Sequence, residues 1–139
     1  LEGDPHLRHE ARSYQRFPKH LFQHWSGYNV LPPLHDPVPV GAVVPQFYGY
    51  YVPEKTEEGK YLSPIMLLED CGKPIDPRKL NMDDRQECAG LLFRLHHAGF
   101  LHNSVFERNI VMQEGDLRDF PIFKRKCDRR FRLIDFGRA

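Results

Sequence analysis

A histidine and an asparagine seven residues apart, in "FLHNSVFERNIVMQ" (Phe100 to Gln113), raise the first chemical question. His102 and Asn109 bracket a polar loop, and the β-branched pair Ile110 and Val111 begins a strand pattern directly behind it. Farther on, "FRLIDFGRA" puts the carboxylate of Asp135 at the end of another strand pattern. A carboxylate and a carboxamide are both polar groups that could meet at one site. Between His102 and Asn109 stands Ser104, whose hydroxyl cannot accept and hold a proton at neutral pH as a carboxylate does. A plainer alternative gives Asn109 a turn to cap and Asp135 a strand end to close.

Other side chains with chemical potential are less well organised. Cys71, Cys88 and Cys127 are an odd number, lie far apart and form no C-x-x-C pair, which argues against both a disulfide framework and a zinc cluster. His20 and His24 have the i, i+4 spacing of a helical metal pair, but no H-E-x-x-H or Cys/His set accompanies them. Scattered surface or packing histidines are the better reading of the eight.

The elements that must position the loop can be followed along the chain. "DPHLRHEARSYQRF" puts Leu7, Ala11 and Tyr14 at i, i+4, i+7, with Asp4 as N-cap before Pro5, and so predicts an amphipathic helix. Pro18 ends it, "KHLFQHW" is expected to add a further turn or two, and Tyr28 to Gly41 is expected to be an irregular, proline-rich connection. "AVVPQFYGYYVP" and "YLSPIMLLED" predict two strands of a hairpin across the charged turn "EKTEEGK". The second is apolar enough from Ile65 to Leu68 to be buried on both faces. "CGKPIDPRKL" reads as a loop.

"NMDDRQECAGLLFRLHHAG" is the clearest helix. Asn81 can cap it, Asp83 and Asp84 suit the positive end of its dipole, and Gly99 stops it. Cys88, Leu91, Leu92 and Leu95 give it a core face. The loop at His102 follows, then the strand "NIVMQ", a charged insertion from Glu114 to Arg130, and the strand "FRLIDF". The order of elements predicts an α+β fold.

Composition bounds the functions. At 139 residues, with ten Phe, six Tyr and one Trp, the chain is of single-domain size and has bulky core candidates. A net charge of +1 supplies no field for nucleic acid or an anionic membrane, and the basic run Lys124 to Arg130 reads as a solvated loop. The longest uncharged stretch, Pro37 to Pro53, holds four prolines and is unsuited to a membrane helix. The expected setting is intracellular, cytoplasmic or nuclear, and not secreted.

From Glu10 to Ala139 the chain resembles the protein-kinase-like fold, and looks closest to divergent fungal kinase-like proteins. "LLEDCG" (Leu67 to Gly72) is similar to the hinge between lobes, "LLFRLHHAGFLHNS" to the long helix entering the catalytic loop, and Asp135-Phe136-Gly137 to the metal-binding D-F-G. The resemblance implies ATP and Mg2+ as cofactors. Backbone groups near Glu69 and Cys71 would meet the adenine edge, Asn109 and Asp135 would hold the metal, and Glu10 would be the ion-pairing helix glutamate. His102 would be structural, and Ser104 falls at the position of the catalytic aspartate. The implied division is a partial N-lobe over 1–68, a hinge and linker over 69–80, and a partial C-lobe over 81–139.

Loss of the base at Ser104 would lower transfer by roughly two to four decades, and Glu107 is offset too far along the loop to replace it. No glycine-rich loop or lysine-bearing strand precedes Glu10, so the expectation is the middle of a kinase domain with little transfer activity of its own. The competitors are a pseudokinase scaffold with a protein partner, which Ser104 favours, and a small-molecule kinase of the choline or aminoglycoside kind. Nucleotide is the expected partner; nucleic acid and membrane are not.

Overall fold

The computed structural model describes residues 5–28, 37–54, 59–60, 62–115, 120, 122 and 129–139. Asp4, Cys127 and most of the basic run at 124–130 lie outside them. Helix α1 (Pro5–Arg16) starts on a proline, whose missing N–H would have no partner in a first turn. It buries Ala11, Ser13 and Tyr14, while Leu7 is only partly covered. Pro18 halts it and leaves a single 3-10 turn, Lys19–Leu21, with Leu21 fully buried. The helical spacing expected of His20 and His24 is therefore not realised.

Of the stretch expected to be irregular, Tyr28 and Pro37–Val40 are strand, and 29–36 lie outside the described residues. Strands β1 (Trp25–Tyr28) and β2 (Pro37–Val40) pair antiparallel, with Ser26 opposite Pro39 and Tyr28 opposite Pro37. Each strand of a two-stranded ribbon has a free edge, and prolines two residues apart turn their missing donors to the same side, so that edge accepts both. From Ala42 to Pro45 the chain is buried and stitches parts together: Val43 and Val44 donate to the Leu21 carbonyl, and Leu133 donates to that of Val43.

Strands β3 (Phe47–Tyr51) and β4 (Ile65–Leu68) form the expected hairpin, with a bulge between Phe47 and Gly49. The expectation that β4 is buried on both faces is overturned. Met66 and Leu68 join the core, whereas Ile65 and Leu67 are 55% and 46% exposed. A two-stranded sheet has one face against α1 and the other open, so an apolar run here alternates. The loop after β4 contains a further short strand, β5 (Lys73–Pro74), on the edge of β6 (Ile110–Glu114), which pairs with β7 (Arg129–Leu133).

Helix α2 (Met82–His97) is capped as its sequence asks. Asn81 accepts the Asp84 N–H at 2.8 Å and Asp84 accepts the Asn81 N–H at 3.3 Å, a reciprocal capping box. Asp84 also pairs with Arg129, which ties the helix start to β7. Cys88, Leu91 and Leu95 are buried, Leu92 packs beside them, and Gly99 takes the left-handed conformation that ends the helix. The described residues are thus an α+β arrangement of two helices and three small antiparallel sheets around one core. Among them no helix is long and apolar enough to cross a membrane.

Candidate functional site

Beyond Gly99 the chain turns back into the core. Phe100 packs edge-on against Phe17, with ring centroids 4.9 Å apart, and His102 follows it inside. His102 Nε2 donates to the Ile134 carbonyl at 2.8 Å, because a carbonyl can only accept, and that assigns the proton to Nε2. Its Nδ1 is buried with no partner. Burial lowers the imidazole pKa, against the opposing effect of the Ile134 carbonyl, so the ring is neutral and fixed in place.

Ser104 and Asn109 are both buried and close the loop on itself. Asn109 Nδ2 donates to the Ser104 carbonyl at 2.8 Å, and it reaches Ser104 Oγ at 3.2 Å and Asp135 Oδ2 at 3.1 Å. The Asn109 carbonyl accepts the Ile134 N–H at 2.9 Å, which locks β6 to the chain leaving β7. Every hydrogen bond of the Asn109 side chain runs through Nδ2, and among the described residues Oδ1 accepts none. Because the Ser104 carbonyl must face a donor, the amide orientation is set and Oδ1 points elsewhere.

Asp135 adopts a positive φ of 64°, a conformation that aspartate tolerates better than most residues. Its backbone turns the next N–H, that of Phe136, onto Glu10 Oε1 at 3.2 Å. Ser13 Oγ donates to the Phe136 carbonyl at 3.4 Å, Asn103 Nδ2 to that of Arg138 at 3.0 Å, and His9 Nε2 lies 2.8 Å from that of Ala139. The Phe136 ring is fully buried in a column of rings: it meets Tyr14 at 5.3 Å and His102 at 4.9 Å, and Tyr14 stacks on Phe47 at 5.6 Å. Sequence reasoning missed this column. Its signal was there in Tyr14 on the core side of α1 and Phe17 just past the helix end, though no local spacing connects them to Phe136.

The other expected site residues have defined places. Glu10 pairs with no cation among the described residues; burial raises its pKa, the Phe136 N–H opposes this, and nearby Asp135 adds to the rise. Glu69, expected to contribute only its backbone, also uses its side chain: its N–H donates to the Gln46 carbonyl at 2.9 Å, and Oε2 accepts the Gln46 N–H at 3.1 Å. Cys71 is buried, and burial pushes its thiol up to about 12, so it is inert as a nucleophile. Glu107 is exposed and lies within electrostatic reach of Arg78. A shallow recess of about 360 Å3 lies elsewhere, lined by Ile75, Pro77, Arg78, Leu80, Arg85 and Cys88.

The corner can therefore offer one exposed carboxylate and one unengaged amide oxygen, which suits a hard, partly hydrated cation. No group of three or more His, Cys, Asp or Glu side chains among the described residues forms a fuller cage. Comparison with protein-family models, with curated proteins and with solved structures returns no match.

Proposed function

We propose that these residues are the central part of a protein-kinase-like domain that binds ATP with magnesium and transfers phosphate poorly or not at all. The observation that supports this best is the meeting of Asn109 and Asp135, 26 residues apart, at 3.1 Å with the amide oxygen left over. Asp135 and Asn109 Oδ1 would hold magnesium, which supplies charge neutralisation across the phosphates. The segment Glu69 to Cys71 would take the adenine edge. Glu10 fixes the Phe136 N–H, and so sets the backbone that carries Asp135.

Ser104 favours weak chemistry. Its hydroxyl is buried against Asn109 and has no carboxylate charge with which to orient an acceptor or take its proton. The same observation supports the scaffold reading, in which the fold serves a protein partner.

Titration of the protein with MgATP, followed by calorimetry, separates these. Expected are saturable binding that EDTA weakens and a loss of about tenfold or more in affinity for both Asp135→Ala and Asn109→Ala. No binding, or binding indifferent to both substitutions, removes the nucleotide reading and leaves the scaffold. Phosphate transfer by this chain that disappears in Asp135→Ala would refute the expectation of little activity.

A further inference from the structure

The outer face of α1 plays no part in the site. Arg8, Arg12 and Arg16 are all exposed and follow one another at intervals of four. Each interval advances about 6 Å along the axis and overshoots one full turn by about 40°, so the three form one slowly winding stripe. No ion pair engages any of them among the described residues; Arg16 alone has a contact of another kind, its guanidinium 6.0 Å from the centre of the Phe100 ring. Lys19 and His20, both exposed, follow beyond the helix end.

This arrangement is unfavourable for an isolated helix. Like charges at i, i+4 destabilise by about 0.2–0.5 kcal/mol per pair. The first turn holds no acidic residue to offset the helix dipole, and Arg8 sits near that positive end. The one acid of α1, Glu10, faces inward to the Phe136 N–H. The chain has 19 acidic residues, and among the described ones none pairs with the stripe.

We propose that this face of α1 docks an extended acidic segment of a protein partner. Alternate residues of an extended chain are about 6.6–6.8 Å apart, close to the repeat of the stripe, and each guanidinium can take a carboxylate with two parallel hydrogen bonds. A membrane is disfavoured because α1 itself exposes no large apolar side chain to insert beside the arginines. Nucleic acid is disfavoured because the molecule as a whole has almost no positive field. Docking here would also bear on Glu10, which lies on the inner side of the same three turns.

The test is fluorescence anisotropy of a labelled peptide of about twelve residues, alternating Glu and Ser, against the whole chain at low and at physiological salt. The expected result is salt-sensitive binding that weakens about tenfold or more when Arg8→Glu, Arg12→Glu and Arg16→Glu are combined. The combination Lys73→Glu, Lys79→Glu and Arg108→Glu, equal in charge and placed on other exposed residues, should leave it nearly unchanged. If the first triple variant does not fold, Arg12→Gln alone should weaken binding about threefold. Equal loss in both triples, no peptide binding by the wild type, or tighter binding of poly-uridylate or anionic vesicles through the same arginines would overturn the proposal.

Discussion

The Glu10 carboxyl accepts the Phe136 N–H while burial, and after it the Asp135 charge, raises its pKa. Between the unfolded value near 4.5 and the raised folded value, the native state binds more protons than the unfolded one, so this group contributes less stability as pH rises through that window. His102 has the opposite sign. Burial depresses its folded pKa, so below about 6.5 the unfolded state takes up a proton first and stability falls as the solution becomes acid. Glu10→Gln keeps an oxygen for the Phe136 N–H and removes the charge. It should be more stable than wild type at neutral pH, and the advantage should vanish below about pH 4.5. Urea midpoints of both proteins across that range decide it; a less stable variant at pH 7 would mean the carboxylate has a favourable charge partner. His102, Asn109 and Asp135 were legible in the sequence because strand and loop patterns of short range place them. The partner of Glu10 was not, since a backbone amide 126 residues away leaves no local trace.

Among elements, helix α2 was almost fully legible, because its cap, first-turn acids, core stripe and terminal glycine are all local signals. The ribbon β1–β2 was not, because prolines argue against a strand unless its free edge is known. Strand β5 was hidden for a related reason. Two residues of sheet next to a glycine carry no periodicity, and what fixes them is the approach of Gly72 to β6. At Gly72 φ is +94°, and a methyl group there would lie 2.1 Å from the Met112 carbonyl oxygen. The neighbour is backbone already in a strand pair, so it cannot give way cheaply. Gly72→Ala should therefore destabilise by about 2–4 kcal/mol, measured by denaturant unfolding. A change under about 0.5 kcal/mol would show that the segment from Glu69 to Gly72 is not braced against β6.

Taken whole, the molecule gathers its rings between α1, the loop after α2 and the chain leaving β7, and leaves other apolar surface uncovered. Ile65 and Leu67 face out from β4, and Phe93 on α2 is 72% exposed. The loop residues Leu101, Val105 and Phe106 are also open, so several large apolar side chains meet solvent. Self-association that grows with concentration in sedimentation, and a broad thermal transition, are the expected behaviour. A sharp, reversible transition from a monomer at all concentrations would show that this surface is tolerated in water. Ile65 and Leu67 had been expected inside, because an apolar run alone does not say that one face of the hairpin stays open.

The Asn109 side chain has two amide hydrogens and three oxygens within reach: the Ser104 carbonyl, the Ser104 hydroxyl and the Asp135 carboxylate. One acceptor is always in surplus, and the hydroxyl can serve as donor or acceptor as its neighbours require. Asp135 can therefore turn toward a cation without orphaning the amide, because the serine stands ready to replace it. With a carboxylate at position 104, two like charges would compete for the same amide and repel one another. Serine at position 104 thus leaves the shape of the corner independent of what is bound.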